Sequence, residues 1–252
     1  MAKMRINVVG VPVDIFAQED LADEIVKMEQ KKGTKQICFV TIWDILKARR
    51  NKEFMACLKN ADLILPTSKS IVKGAKFLKL PEPVRYNPFP TIIQILATLE
   101  KHYKSLYLLG GRKDTLMTAE RNLRATFPGL QIVGRYVGYY PKNIETDIIS
   151  AIYKASPSLT LISNGIHAGN CWAYRRRKQF SSSIMLYDKD IFKIFAKQKK
   201  RVSQETFEKG LEIWQKILKN PIKIFLIFPY IWYKILLIFF RIFRKKSTNI
   251  IS

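Results

Sequence analysis

Ser105-Leu106-Tyr107-Leu108-Leu109-Gly110-Gly111-Arg112-Lys113-Asp114 carries an apolar run straight into two glycines and a polar stretch. A helical pattern comes next, from about Thr115 to Phe127. The pattern predicts a buried strand, a tight glycine turn and a helix start. In an open α/β sheet, ligands bind where such a turn leaves the carboxyl end of a strand. Gly110 and Gly111 lack a Cβ, so a ligand can approach their backbone. The helix start beyond them offers unpaired N–H groups and a positive dipole end to a phosphate. An ordinary strand-to-helix turn has the same two glycines, so the surroundings must decide.

Working outward, apolar runs of strand length alternate with helical patterns. Arg5–Val9 reads as a strand that ends in a turn at Gly10-Val11-Pro12-Val13-Asp14. Helical spacing covers Glu19–Met28, a strand Gln36–Thr41, and a helix Asp44–Leu58 broken near Asn51. Asp62–Pro66 is a short strand, followed by helices at Ile71–Leu80 and Thr91–Tyr103 with a proline-rich loop between them. Beyond the opening stretch come a strand at Leu130–Val133, a loop at Gly138–Pro141 and a helix at Ile144–Ala155. A strand at Ser158–Ser163, a basic helix at Trp172–Phe180 and a strand at Ile184–Tyr187 come after these. Helices at Asp190–Lys200 and Gln204–Lys219 lead into the tail. This alternation predicts a mostly parallel, Rossmann-like α/β sheet with helices on both faces. We expect an α/β domain over residues 1–203 and a helical appendage over 204–252.

Composition narrows the function. The chain has 252 residues and 48% apolar content, enough for one such domain with a small addition. Its formal net charge of +24 predicts an anionic partner: nucleic acid, an anionic membrane surface or phosphorylated substrates. Cys38, Cys57 and Cys171 lack metal-ligand spacing and read as free thiols of a reducing compartment. Met1-Ala2-Lys3-Met4-Arg5 leads into a strand rather than an apolar signal segment, so a cytoplasmic body is expected.

The tail differs in kind. Ile224–Phe240 is almost wholly apolar and aromatic, Trp232 included. As a helix it would be ~26 Å long, against the about 30 Å of a hydrocarbon core. Lys223, Lys234, Arg241 and Lys245 fall within about 40° of one another on a helical wheel. A narrow basic stripe on a broad apolar face suits a helix lying in the membrane interface. A spanning helix is the alternative, with Arg244-Lys245-Lys246 favouring a cytoplasmic C-terminus. No zinc spacing, Walker motif or Ser/His/Asp arrangement occurs. His167, just after Asn164-Gly165-Ile166, stands at a strand end where catalytic groups gather, although a lone histidine there is commonly structural.

In this order the segments resemble bacterial glycosyltransferase family 26, which includes the teichoic-acid linkage-unit, enterobacterial common antigen and capsule N-acetylmannosamine-type transferases. Asn7-Val8-Val9-Gly10-Val11-Pro12-Val13-Asp14 is similar to the family's opening strand and turn. Ala61-Asp62-Leu63-Ile64-Leu65-Pro66 resembles its Ala-Asp-apolar-apolar-apolar-Pro segment. Leu108-Leu109-Gly110-Gly111 resembles its nucleotide-sugar loop. Phe127-Pro128-Gly129-Leu130 and Gly138-Tyr139 resemble the segment after that loop in the family. Gly210-Leu211-Glu212, Trp214 and Pro221 resemble its membrane-targeting appendage. The resemblance implies transfer of an N-acetylhexosamine-type sugar from a UDP donor to a polyprenyl-diphosphate-linked acceptor on the cytoplasmic face, without a metal cofactor. It implies nucleotide-sugar contacts at Gly110, Gly111, Arg112, Gly138, Tyr139, Arg85 and Gly165. It leaves a homo-oligomer open.

This chain departs from the family where the chemistry is done. Thr67-Ser68 replaces Asp-Gly after Pro66, so the usual aspartate base is missing. The family threonine matches Thr41, but Trp43 stands where an asparagine is expected. Arg85 is kept, while Gly165-Ile166-His167-Ala168-Gly169-Asn170 replaces a loop bearing glutamine and glutamate. Thr41, Asp44 and His167 are therefore the catalytic candidates, the last two as substitute bases. An active transferase, an inactive scaffold relative and a nucleic-acid-binding protein are the three function classes. The third ranks last, because the cations accompany a membrane-like tail and no base-stacking motif is visible.

Overall fold

A computed structural model describes residues 3–180, 182–212, 224–225, 227–243 and 250–251. Six strands form one wholly parallel sheet: β3 (Lys35–Val40), β4 (Leu63–Pro66), β5 (Ser105–Leu109), β6 (Gln131–Tyr136), β7 (Leu159–Ile162) and β8 (Ile184–Tyr187). Their spatial order is β4-β3-β8-β7-β5-β6. The inner strands read as apolar runs because helices cover both faces, which removes the alternation of a half-exposed sheet. In β5, Leu106 and Leu108 join the core under α1 (Leu21–Gln30), α5 (Pro88–Lys101) and α6 (Lys113–Thr126), whereas Tyr107 and Leu109 join the core under α7 (Glu145–Ala155) and α8 (Gly169–Arg176). A third core lies under α2 (Ile42–Arg50), α3 (Lys52–Lys59) and α4 (Lys69–Phe77), around Cys38, Val40 and Ile64. Cys38, Cys57 and Cys171 are buried free thiols, as the sequence suggests.

The segment expected to be a turn after Val9 is instead a second strand. β1 (Met4–Val8) and β2 (Val11–Ile15) form an antiparallel hairpin, and β9 (Ile250–Ile251) pairs with the other edge of β1. The two-residue turn needs positive φ at both positions, supplied by Val9 (54°) and Gly10 (79°). Pro12 sits on the edge strand of this small sheet, where its missing N–H interrupts no ladder.

The family-like acids of these segments are structural. Asp14 is fully buried, accepts from Arg5 Nε at 2.6 Å and Nη2 at 2.9 Å, and accepts the Ile64 N–H at 2.8 Å. It thereby fastens the hairpin to β4. Asp62 accepts the Gln36 N–H at 2.9 Å and fixes the entry of β3 beside β4.

Two helices differ from the sequence pattern. The one expected over Asp190–Lys200 ends early, as α9 (Ile191–Phe195), and packs on α6. The one expected over Gln204–Lys219 begins as α10 (Gln204–Lys209) and is closed by Gly210 at φ 72°. Its continuation past Glu212 lies outside the described residues. In the tail, α11 (Ile227–Phe243) inserts Tyr233 and Leu237 into the core beside α4. Phe228, Ile231, Trp232, Ile235, Ile238 and Phe239 remain exposed. The helix is therefore neither wholly core-packed nor wholly detached. Among the described residues no helix is long and apolar enough to cross a membrane.

Candidate active site

The chain leaves β5 toward β6 on one side and leaves β7 toward β8 on the other, although β5 and β7 are neighbours. Their carboxyl ends therefore form a topological switch point, the place where open α/β sheets bind ligands. Gly110-Gly111 packs directly against Ser163-Asn164-Gly165 there. Gly138-Tyr139, from the end of β6, packs against both. The sequence stretches singled out as a nucleotide site thus meet in space.

Their hydrogen bonds are largely spent on one another. The Gly110 N–H donates to Tyr136 O (2.9 Å), Gly111 N–H to Asn164 O (2.6 Å), Gly138 N–H to Gly111 O (2.8 Å) and Tyr139 N–H to Gly165 O (2.9 Å). A Cβ on Gly110 would stand 2.9 Å from Ser163 O and 3.0 Å from Asn164 O. Gly110, at φ 122°, is required by this close packing of three loops rather than by a ligand. The groups left for an anion are those of the α6 N-terminus. Arg112 caps it without a side-chain bond and is exposed, as is Lys113. Thr115 Oγ1 donates to Gln198 at 2.9 Å, which holds the basic segment 197–201 against this first turn. Tyr139 is 63% exposed, has φ 59°, and accepts from Asn164 Nδ2 at 3.1 Å. A backbone strained in this way, under an exposed ring at a topological switch point, is the kind of feature that functional sites retain.

Thr41 and Asp44 lie at the end of β3, three strand steps from β5, or about 14 Å at ~4.8 Å per step. Together they make a capping box: Asp44 Oδ2 accepts from Thr41 N (2.8 Å) and Oγ1 (2.6 Å), and Thr41 Oγ1 accepts from Asp44 N (3.4 Å). Burial pushes the Asp44 carboxyl up, against the Thr41 hydrogen bonds that pull it down. Between β3 and β7 stands the end of β8, where Tyr187 and Asp188 complete a group that the sequence pattern did not reveal. Asp188 accepts the Asp190 N–H at 2.9 Å, and burial pushes its carboxyl up. Tyr187 is pushed up to about 12, first by burial and then by the negative charges of Asp188, Asp190 and Asp44. The rule that exposed Asn164 and His167, attention to strand exits, would also have found Asp188.

Arg85 stands apart from this switch point. Arg85 is at the β4 edge, four strand steps from β5 or about 19 Å. Its guanidinium donates to Thr67 O (2.7 Å), Phe207 O and Glu212, and lies 3.7 Å from the Phe207 ring centroid. Burial brings it down to about 10. Arg85 thus staples α10 to the β4 exit. His167 is exposed on the loop between β7 and α8. Thr67 is buried, and its hydroxyl donates to Val40 O at 3.1 Å.

Of the membrane candidates, Trp232 is 45% exposed, Lys234 lies 4.9 Å from the Tyr230 ring centroid, and Arg241 folds onto the Phe77 ring at 4.6 Å. Lys223, Arg244 and Lys245 lie outside the described residues. No cluster of His, Cys, Asp or Glu fit to hold a metal ion occurs among the described residues.

The chain is 22% identical over 174 residues to the N-acetylglucosaminyldiphosphoundecaprenol N-acetyl-beta-D-mannosaminyltransferase of Bacillus spizizenii (strain ATCC 23059 / NRRL B-14472 / W23), covering 69% of this chain and 67% of the relative. It is 20% identical to the protein of the same description from Bacillus subtilis (strain 168), with the same coverage. The model of the glycosyl transferase WecG/TagA/CpsF family matches residues 6–250, nearly the whole chain, and the chain belongs to that family.

Proposed function

We propose that this protein transfers a hexosamine-type sugar from a UDP-sugar to a polyprenyl-diphosphate-linked acceptor, at the cytoplasmic face of a bacterial membrane, during envelope polysaccharide synthesis. The carrying observation is the switch point between β5 and β7, in a chain of this family. In this reading the exposed Tyr139 ring carries the uracil. The N-terminus of α6, with Arg112 and the basic segment 197–201, neutralises the diphosphate. The donor sugar extends along the strand ends toward β8 and β3. The activity needs no metal, because these cations supply the positive charge that a leaving diphosphate requires.

Asp44 is the base that accepts the proton of the attacking acceptor hydroxyl. It stands one strand inward from Thr67, and the exits of β3 and β4 touch through the Ile42 N–H and Ser68 Oγ at 3.4 Å. A carboxyl raised by burial is better matched to accept a proton near neutral pH. Thr41 holds it in place. The segment from Gln204 onward is an appendage, and α11 lays its exposed apolar face in the bilayer interface.

The test is incubation with radiolabelled UDP-N-acetylhexosamines and a polyprenyl-diphosphate-linked N-acetylglucosamine in detergent. Transfer that is lost in Asp44→Asn and retained in His167→Ala supports the assignment. No turnover with any donor, in a preparation that binds UDP, refutes it in favour of the inactive relative, the reading motivated by Thr67 together with the departures at Trp43 and in the 165–170 loop.

A further inference from the structure

A groove of about 820 Å³ opens between α2 and α11, walled by Trp43, Leu46, Phe228 and Trp232 and bearing Lys47 and Arg50. Its volume is in the range of small-molecule sites. We propose that this groove seats the polyprenyl diphosphate of the acceptor, with the diphosphate on Lys47 and Arg50 and the first prenyl units against Phe228 and Trp232. This rests on the proposed lipid-linked acceptor and adds where the lipid is held.

The argument is one of placement and charge. Trp43, Leu46, Lys47 and Arg50 fall at spacings of three, four and seven residues, so they share one face of α2. From Trp43 to Arg50 is about 10 Å along the axis at ~1.5 Å per residue. Trp43 adjoins Asp44 at the sheet's carboxyl edge, so an acceptor sugar at that end places its diphosphate further along the same face. The two cations make no close ion pair among the described residues; Lys47 overlies the Phe54 ring at 4.6 Å and its charge acts at longer range on the Asp44 carboxyl. Their neighbour Arg49 is used differently. It donates to Val9 O at 2.8 Å and stacks on Phe240 at 5.0 Å, which holds α11 against α2. On the far side, the groove is continuous with the exposed apolar face of α11: Phe228 is 65% and Trp232 45% exposed. An anionic head joined directly to a long apolar chain fits an apolar trough that has cations at one end and opens onto an apolar surface. A soluble nucleotide can stack its base on one tryptophan but leaves the apolar surface beyond it on α11 uncovered.

The experiment titrates the full-length protein with farnesyl diphosphate below its micellar concentration and follows tryptophan fluorescence, since two of the groove's walls are tryptophans. Saturable binding is expected, at least tenfold weaker in a Lys47→Glu/Arg50→Glu variant and weakened also in Trp232→Ala, with farnesol binding poorly. UDP affinity should be unchanged in all variants. Wild-type affinity in both variants overturns the proposal, as does displacement of farnesyl diphosphate by UDP, or equal competition by phosphatidylglycerol vesicles. Sugar transfer is measured in parallel. Transfer that survives Lys47→Glu/Arg50→Glu with an unchanged acceptor KM overturns the groove and leaves the proposed function standing. Cation-dependent farnesyl diphosphate binding without transfer upholds the groove and overturns the function.

Discussion

Exchanging Gly110 and Gly111 for alanine, one at a time, separates two roles that a Gly-Gly turn can play. At Gly110 the added methyl meets backbone on one side: Ser163 O at 2.9 Å, and Asn164 O and Ser163 C each at 3.0 Å. None of these atoms can swing away like a side chain. Overpacking of this kind costs about 1–3 kcal/mol, and holding a non-glycine residue at so unfavourable a φ costs a further ~1–3 kcal/mol. Less unfolded-chain entropy for alanine offsets about 0.4–1 kcal/mol. A net loss near 3 kcal/mol lowers Tm by roughly 6–12 °C in a chain of this size. At Gly111, φ is 74° and the nearest neighbour is a Phe192 ring carbon at 3.4 Å, so only a left-handed backbone cost of about 1–2 kcal/mol applies. Calorimetry on both variants, with UDP titration of the folded fraction, reads the difference. Gly110→Ala should melt well below Gly111→Ala, while UDP affinity tracks Arg112 and the α6 N-terminus. Equal melting temperatures with an equal loss of UDP affinity would show that the glycine amides themselves cradle the phosphate, and would refute the reasoning.

Replacing Asp14 by alanine strands the half-buried Arg5 guanidinium and the Ile64 N–H; a loss of about 3–5 kcal/mol is expected in urea unfolding. Gly74→Leu should release α11 from α4, because even a Cβ there would lie 2.4 Å from Tyr233 Oη; amide exchange in 227–243 should rise while the sheet strands keep their protection. For Asp44, the folded pKa lies above the unfolded one, so the folded protein binds more protons between the two values and stability falls as pH rises through that window. Asp44→Asn should remove that slope in thermal melts while lowering kcat by about 10²-fold or more. The wild-type rate should fall with acidification at a pH above the ordinary carboxylate range.

The sheet was legible because strands buried on both faces leave an unmistakable mark: apolar runs of four to six residues between turn signals. The break between α2 and α3 was legible too, since Asn51 caps the second helix through the Phe54 N–H at 2.8 Å. The hairpin was not. Its turn places a valine at positive φ, for which no residue signature exists, and Pro12 suggests a turn unless β2 is known to be an edge. The early end of α9 was hidden for a similar reason: Gln198 turns back to Thr115, a partner 83 residues away. At the site, strand exits could be read one by one, but not which exits adjoin. That depends on the order β4-β3-β8-β7-β5-β6, and the sequence does not state it. Asp188 is hard to read because Tyr-Asp-Lys-Asp looks like a solvated loop, whereas its carboxyl accepts the Asp190 N–H and is half-buried.

The same order gives the departures from the family a common sense. Thr67 is not an aspartate with its carboxylate trimmed from an open pocket. Its hydroxyl is turned inward to Val40 O, and its carbonyl holds Arg85, which in turn holds Phe207 and Glu212. The β4 exit is therefore a structural joint in this protein, packed against α10 through Arg85. A base placed there would be buried against the neighbouring backbone and kept from an acceptor. Trp43, one step inward, replaces an expected polar side chain and becomes a wall of the α2–α11 groove, next to Asp44. A protein that had merely lost catalysis would be free to lose both the carboxylates and the route to them. Here two half-buried carboxyls, Asp44 and Asp188, remain at adjoining strand ends with their proton affinities raised, and Trp43, which precedes the first in the chain, lines a groove bearing Lys47 and Arg50. That arrangement favours chemistry displaced by one strand over chemistry abandoned.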